Sequence, residues 1–307
     1  DKTIIKSRQS EFSENEINLN LALCLRRPYT HVKHIFPTLK MGELIGKEKI
    51  QKAIKTSPLI YEQVSNLDAI TFTQFKNQSI YSISGSWDET GGRAGSVDKI
   101  TFDEYETQNP NVESVFEEML SHSELQKITR ISTPRFPNGG IDAKFINGSQ
   151  YEWFVTCPSC KKEQQMSFPD NIINYFESEY IKVDSEEYFE KINEVYIGCK
   201  YCKAYIDRTS DFYIKTSKWK ANRPHLAGIK NSYRVTYFML PWKTGKEILY
   251  KYHSFKYIHQ FYNEVLGYAY KSQEASLNES IFLQCQKPTL INVFKEIKNL
   301  RCVSVGI

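Results

Sequence analysis

KTIIKSRQSEFSENEINLNLALCLRR (residues 2–27) joins an apolar, β-rich start to a polar loop and then to a segment of helical character. Thr3, Ile4 and Ile5 favour a strand. Apolar residues recur from Ile17 onward, and the Ser and Asn residues before them are typical helix caps, so a helix is predicted to begin near Ser13. The chain therefore opens with a strand, a loop and a helix.

The same strand and helix signals alternate through residue 135, which predicts an α/β fold with a mostly parallel sheet flanked by helices. The strand-like segments are THVKHIFPT, AITFTQF, SIYSISGS, DKITFDEYE and KITRISTP, and the helical ones are GKEKIQKAIKTS and VESVFEEMLSHS. After residue 139 the sequence becomes turn-rich. A long aromatic helix is predicted later, over GKEILYKYHSFKYIHQFYNEVLGYAY.

Composition places the chain among ordinary globular proteins, with 307 residues, 40% hydrophobic and 25% charged. This length predicts one large domain and a smaller one. A formal net charge of +4 is too mild to argue by itself for nucleic acid. No apolar run of about 18 residues is present, so we expect a cytoplasmic protein without a membrane partner.

The polar loop follows part of the phosphate-binding pattern GxxxxGK[ST]. Ser13 stands at the position that binds magnesium, but Glu11 replaces the second glycine and Phe12 replaces the lysine. The match is weak when taken alone, and an ordinary surface turn is then the better explanation.

Two later strand ends strengthen the phosphate-loop interpretation. Asp103 and Glu104 end an apolar strand, as do the acids that hold Mg²⁺ and orient water in phosphate-loop enzymes. Ser132 and Thr133 end another. Ligands of open α/β sheets bind at such ends. The alternatives are a solvated acidic strand end and an ordinary Ser-Thr-Pro strand terminator.

Seven cysteines include two Cys-x₂-Cys pairs, and four thiolates from two such turns form the ligand set of a structural Zn²⁺. The ligands are Cys157, Cys160, Cys199 and Cys202. This module could contact DNA or another protein, or it could simply stabilise a segment too small to fold alone. The remaining cysteines are interpreted as small apolar residues, and the six histidines show no partner spacing.

Taken in order, these motifs resemble the large terminase subunits, the motors that package DNA into bacteriophage heads. The resemblance covers nearly the whole chain. It rests on KSRQSEFSE, HIFPT, IQKAIKTSPLI, SIYSISGSW, GGRAGSVDKITFDEYE, ISTPRFPNGGID and FYNEVLGYAY.

The resemblance implies an ATPase that uses ATP, Mg²⁺ and Zn²⁺. It assigns Mg²⁺ to Ser13 and Asp103, water activation to Glu104, and coupling of hydrolysis to DNA movement to Ser132 and Thr133. The implied nucleotide-binding residues are Lys6, Ser7, Arg8, Gln9, Ser10, Glu11, Phe12 and Ser13.

Two arginines receive roles from the same resemblance. Arg8, or alternatively Lys6, replaces the missing lysine, since a guanidinium contacts phosphate oxygens with two donors. Arg93 stands where some terminases carry an arginine finger that reaches a neighbour's nucleotide, although a solvated loop arginine is the alternative. Glu11 departs from the pattern, because its bulk and charge oppose the approach of phosphates.

The expected organisation is an ATPase core (1–150), a zinc-binding insertion (151–208), the remainder of the ATPase domain with the aromatic helix (209–275), and a linker with the start of a truncated nuclease domain (276–307). No nuclease activity is expected of these residues. Implied partners are double-stranded DNA, the small terminase subunit, the portal protein and further copies in a ring.

The expected function is ATP-driven translocation of DNA into a procapsid. A second hypothesis is a relic or scaffold that binds DNA or packaging partners without hydrolysing ATP. A third, a zinc-ribbon nucleic-acid module on an unrelated α/β domain, leaves the Asp103 and Glu104 pair unexplained.

Overall fold

Strand β1 (Lys2–Lys6) lies near the middle of a sheet that contains eleven strands in the described part of the chain. The computed structural model describes residues 1–66, 69–87, 95–173 and 195–270. Residues 1–270 form one compact unit. The other strands are β2 (His31–Phe36), β3 (Val64–Asn66), β4 (Phe72–Phe75), β5 (Ile80–Gly85), β6 (Lys99–Asp103), β7 (Lys127–Ser132), β8 (Tyr151–Thr156), β9 (Glu163–Gln165), β10 (Ile172–Ile173), β11 (Tyr196–Ile197), β12 (Lys218–Ala221) and β13 (Asn231–Val235).

The central strands are parallel, in the order β13, β1, β7, β6, β2 and β5. Antiparallel neighbours complete both edges: β4 and β3 beyond β5 on one side, and β12 and β9 on the two sides of β8 at the other. The predicted mostly parallel α/β sheet is confirmed. β10 and β11 pair separately.

The helices of the described residues are short except for the first. They are α1 (Phe12–Arg26), α2 (Leu39–Ile45), α3 (Gln51–Thr56), α4 (Pro58–Tyr61), α5 (Glu113–Glu118), α6 (Gly140–Ile146), α7 (Asp211–Thr216), α8 (Gly245–Ser254) and α9 (Ile258–Glu264). A π-helical turn, Gly46–Ile50, joins α2 to α3. No helix of the described residues is long and apolar enough to cross a membrane.

Helix α1 packs on the sheet through one apolar face. Ile17, Leu21 and Cys24 follow the helical repeat and are fully or nearly fully buried. They share a core cluster with Val32 of β2 and Tyr81 of β5. This packing fixes the start of α1, and with it the polar loop, over the carboxyl end of the sheet.

The segment that carries the cysteines begins inside the main sheet. β8 pairs with β12 and β9 in antiparallel register and touches β13 through Tyr151 and Tyr233. The first cysteine turn follows β8 and leads into β9, whereas the second follows β11, which pairs with β10 outside the main sheet. The assignment of residues 151–208 to a separate insertion stays a prediction, and residues 276–307 lie outside the described residues.

The prediction of one long aromatic helix is wrong. The structure has two helices there, α8 and α9, separated at residues 255–257, where Phe255 has extended backbone angles. Phe255 and Ile258 both pack against the core cluster that contains Phe261. A continuous helix would project these side chains in directions set by the 3.6-residue repeat, whereas the break lets both helices bury their aromatic residues.

Candidate nucleotide site and metal centre

The carboxyl ends of β1, β7 and β6 lie side by side, because β7 pairs in parallel with both of the other strands. The register places Ile5 opposite Ser132, and Asp103 opposite Ile131. The three motifs that follow these strands therefore meet at one edge of the sheet, where ligands of open α/β sheets bind.

Two side-chain contacts join the polar loop to the end of β6. The Ser13 hydroxyl donates to Asp103 Oδ1 at 3.0 Å. Lys6 Nζ donates to Glu104 Oε1 at 3.0 Å, and the Lys6 side chain is only 9% exposed. The structure thus brings together the residues expected to hold magnesium and to orient water.

Asp103 is buried, yet it is held as a carboxylate. Burial by itself raises its pKa, but the neighbouring His34 ring, the charge of Lys6 and the Ser13 hydroxyl outweigh this and lower the pKa below the ordinary value. An ionised carboxylate beside a serine hydroxyl is an oxygen donor set that suits Mg²⁺.

Glu104 leaves the strand in a left-handed conformation, with φ of 50°. Its backbone N–H donates to Asp103 Oδ1 at 2.9 Å. The turn directs its carboxylate toward Lys6, away from the strand direction, while its side chain remains 33% exposed. Glu104 can therefore reach both the loop and solvent.

The loop itself bends through two left-handed residues, Gln9 with φ of 53° and Glu11 with φ of 59°. Glycine adopts this conformation without steric cost, which explains why the phosphate-loop pattern has glycine at the position of Glu11. The Glu11 side chain is exposed, and its carbonyl accepts from Asn15 N–H at 3.0 Å as α1 begins.

Two serines of the loop are buried with unsatisfied hydroxyls. Within the described residues, neither Ser7 Oγ nor Ser10 Oγ has a hydrogen-bond partner. Buried polar groups are normally paired, so these hydroxyls are available to a bound group.

The Arg8 side chain points away from the acidic strand end and toward α9. Its side chain is 66% exposed and pairs with Glu264 of α9 at 3.3 Å. Its backbone N–H donates to the Glu264 carbonyl at 2.7 Å. Arg8 therefore ties the loop to α9, whereas Lys6 lies at the acidic strand end. Arg93 lies outside the described residues.

The end of β7 lies between the loop and the acidic pair. Ser132 is fully buried, and its hydroxyl accepts from the Glu106 N–H at 3.1 Å. Thr133 follows it and is half-buried. Ser132 is thus linked directly to the turn that follows Glu104.

Residues 2–219 match the family described as the ATPase domain of the phage terminase large subunit gpA. The match covers more than half of the chain. The chain belongs to this family. No curated protein sequence matches it.

Among solved structures, the ATPase domain of one large terminase has a similar fold, and other large terminases match over about half of this chain. The ATPase domain of the Thermus phage P74-26 large terminase is 13% identical, with a TM-score of 0.51 and 87% of each chain covered. The HK97 bacteriophage large terminase is 13% identical, with a TM-score of 0.42; 48% of this chain and 32% of that chain are covered. A large terminase from a thermophilic bacteriophage in complex with ATP-γ-S is 10% identical, with a TM-score of 0.38 and coverage of 48% and 36%. This chain therefore spans about a third of the length of the HK97 terminase and of the terminase in complex with ATP-γ-S.

The four cysteines predicted to bind zinc converge, and all their sulfur atoms lie within 4.8 Å of one another. Cys157 and Cys202 are 3.6 Å apart, and Cys160 and Cys199 are 3.7 Å apart, measured between sulfurs. A regular tetrahedron with Zn–S bonds of about 2.3 Å has sulfur separations of about 3.8 Å. The cluster therefore fits zinc.

The two cysteine turns share one backbone design. The N–H of Lys161 donates to the Cys157 carbonyl at 3.1 Å, and the N–H of Lys203 donates to the Cys199 carbonyl at 2.9 Å. Both lysines have left-handed backbones. Two equivalent turns facing each other present their sulfurs to a common centre.

Cys199 is prepared to be a thiolate. Burial raises its pKa, but the N–H groups of Cys202 and Tyr201 and the Gln164 amide lower it to about 6. Gln164 Nε2 lies 3.1 Å from the Cys199 sulfur. Its carbonyl oxygen accepts from Asn171 at 2.9 Å, which fixes the orientation of the amide.

Sequence reasoning missed His34, Tyr81, Gln108 and Gln164. Gln108 Nε2 donates to the Asp103 carbonyl at 2.7 Å and bridges to Ile35 of β2. His34 lies within an unremarkable β-rich segment, and only the pairing of β2 with β6 brings it to Asp103. No local sequence signal could identify these residues, because their partners are distant in the chain.

Cys199→Ser is expected to remove the metal and to destabilise the fold by about 4 kcal/mol or more, as expected for loss of a structural metal. Metal analysis should find one zinc per wild-type chain and none in this variant. Cys24→Ala, at a buried cysteine outside the cluster, should keep its zinc. A wild-type chain without metal would contradict the assignment.

Glu11→Gly should raise the free energy of unfolding by about 0.5–1 kcal/mol. Glycine adopts the left-handed conformation of this position without the steric cost that a side chain adds. Glu43→Gly, at an exposed position inside α2, should instead lower it by about 1 kcal/mol. Denaturant titration measures both. A loss of stability in Glu11→Gly would mean that the Glu11 carboxylate makes a compensating contact.

Proposed function

We propose that this terminase domain hydrolyses ATP and couples hydrolysis to the translocation of double-stranded DNA into a procapsid. The observation that carries the proposal is the double contact between loop and strand end, Ser13 to Asp103 and Lys6 to Glu104, each at 3.0 Å. Membership in an ATPase-domain family supports the same reaction.

Ser13 and Asp103 are the residues that would hold Mg²⁺. The ion, when bound, would neutralise charge on the phosphate oxygens. Asp103 would supply an ionised oxygen to the ion, and the Ser13 hydroxyl, which now donates to Asp103, would supply a second oxygen. Both oxygens lie at strand and loop ends fixed by the core, so little reorganisation is needed.

Glu104 is the residue that orients the attacking water. It is partly exposed, and its position is restrained by the hydrogen bond to Lys6. When ATP enters, its phosphates compete for the Lys6 ammonium. The Glu104 carboxylate is then released to accept a hydrogen bond from water, so activation depends on the presence of the substrate.

Lys6, more than Arg8, takes the place of the missing loop lysine. The sequence favoured Arg8, but Arg8 is largely exposed and pairs with Glu264, whereas the buried Lys6 lies on the acidic pair. Arg8 then acts as a link from the loop to α9. The unsatisfied Ser7 and Ser10 hydroxyls add donors for phosphate oxygens.

Coupling is assigned to Ser132 and Thr133. Ser132 lies between the loop strand and the acidic strand, and it receives the Glu106 N–H. A change in the turn that follows Glu104 is therefore one hydrogen bond away from the end of β7. The segment that follows leads to α6, through which movement can be passed on.

The zinc-binding turns supply a surface for the DNA backbone. The knuckle lysines, defined as Lys161, Lys162, Lys200 and Lys203, flank the cysteines. Lys162 and Lys200 both lie over the exposed ring of Tyr201, at 4.8 and 5.3 Å. Glu163 next to them is already paired with Lys218 and Lys220. Lysines grouped in this way bind phosphates without reading sequence.

The wild-type domain is expected to release phosphate from ATP when Mg²⁺ and DNA are present. Glu104→Gln should abolish turnover yet retain nucleotide, because it removes the water-orienting carboxylate. Lys6→Gln should lower turnover about 100-fold, by analogy with loss of one charge-stabilising donor, and Arg8→Gln only a few-fold. Phosphate release and binding of a fluorescent ATP analogue separate the steps. Absence of both activities in the wild type would favour the scaffold hypothesis.

The quadruple Lys→Gln variant of the knuckle lysines should weaken binding to random-sequence duplex DNA and reduce the slope of log affinity against log salt by about one for each DNA phosphate that is no longer neutralised. The matched control changes four exposed lysines of the α2–α3 region: Lys40, Lys47, Lys52 and Lys55. Anisotropy titrations at several salt concentrations measure the slope. Zinc content is measured alongside, since these lysines also offset the charge of four thiolates. Equal slopes in both variants would place DNA on another surface.

A further inference from the structure

The two carboxylate oxygens of Asp103 have different surroundings. Oδ1 accepts from the Ser13 hydroxyl at 3.0 Å and from the Glu104 N–H at 2.9 Å. Oδ2 faces the opposite way, and His34 Nε2 lies 3.7 Å from it. The side of the carboxylate that faces the loop is thus saturated, while its other side faces an imidazole.

The His34 ring is held in place from three directions. It is fully buried on β2, and it stacks on Phe36 with ring centroids 4.5 Å apart and an interplanar angle of 18°. Its Nδ1 lies 2.6 Å from the Tyr81 hydroxyl. Its Nε2 is a buried nitrogen without a hydrogen-bond partner in the described residues, and Asp103 is the carboxylate beside it.

Tyr81 determines which nitrogen of His34 carries the proton. Burial raises the pKa of the phenol, which therefore keeps its proton. In the described part of the chain, the only hydrogen-bond partner of this buried hydroxyl is His34 Nδ1, so the O–H donates to that nitrogen. The imidazole hydrogen then lies on Nε2, toward Asp103.

We propose that His34 and Tyr81 are positioning residues for the magnesium-binding carboxylate: Tyr81 fixes the imidazole so that its Nε2–H supports Asp103 Oδ2 from behind. This inference rests on the proposed function, and it adds residues that bind neither nucleotide nor ion. Partners of this kind fix the orientation of a metal-binding side chain and its charge.

This support matters most when Ser13 turns from Asp103 to the ion. Oδ1 then loses one donor, and a buried carboxylate with an uncompensated oxygen is costly. A modest approach of Nε2 toward Oδ2 supplies the missing interaction and prevents rotation of the carboxylate. Without it, the oxygen that faces the loop would lose its fixed direction, so more Mg²⁺ would be needed to fill the site.

The test compares Tyr81→Phe, His34→Leu and His34→Gln by the Mg²⁺ concentration that gives half-maximal ATP hydrolysis and by the Kd for Mn²⁺ in the presence of ADP. Tyr81→Phe should raise both values several-fold and His34→Leu about 10-fold, the lower end for loss of such a partner. His34→Gln, whose amide N–H can replace Nε2–H, should restore part of the loss. The KM for ATP at saturating Mg²⁺ should change much less.

Tyr213→Phe is the matched control, because Tyr213 is a buried tyrosine whose hydroxyl accepts from Trp153 Nε1 at 3.0 Å, near the cysteine turns. Tyr213→Phe should lower the free energy of unfolding by a similar amount and leave the Mg²⁺ requirement unchanged. If the wild type is active and all the His34 and Tyr81 variants need the same Mg²⁺ concentration as the wild type, this inference is overturned but the proposed function is not. A wild type that neither hydrolyses ATP nor binds Mn²⁺ in the presence of ADP would overturn the proposed function as well.

Discussion

The buried carboxylate of Asp103 is the constraint on which this domain depends. A charge at the end of a buried strand is tolerated only when donors surround it. Two donors contact Asp103, the Ser13 hydroxyl at the start of α1 and the Glu104 N–H on the following turn. Lys6 at the end of β1 and His34 on β2 also lower the pKa of this carboxyl. The contacts of the Asp103 carboxylate therefore fix the positions of the loop, β6 and β2 relative to one another.

The parallel sheet makes this alignment possible. Because β7 lies between β1 and β6, its end occupies the space between the loop and the acidic pair. Ser132 therefore contacts the turn after Glu104, although the two are distant in sequence. The same topology sends α9 back over the loop, where Glu264 engages Arg8. The proposed nucleotide site is thus in contact with α9 and with the end of β7.

The first turn of the cysteine centre follows strand β8, next to the edge strand β12 of the sheet. Two similar turns direct four sulfurs to one point, and Gln164 lowers the pKa of Cys199 through its amide hydrogen bond. β8 and β9 anchor the first turn to the main sheet. With four protein ligands, a zinc ion bound here would have no open position, so its role would be structural.

The sequence alone determined the motifs, because each depends on local spacing: the strand ends at Asp103 and Ser132, the cysteine pairs, and the alternation that gives a parallel α/β sheet. The family also followed from the order of these motifs. Tertiary structure alone decided that Lys6 faces Glu104 while Arg8 pairs with Glu264, that two helices replace one aromatic helix, and that His34 and Tyr81 stand behind Asp103. The physical reason is that strand order and register bring together residues far apart in the chain, and no local pattern of residues encodes which strands become neighbours.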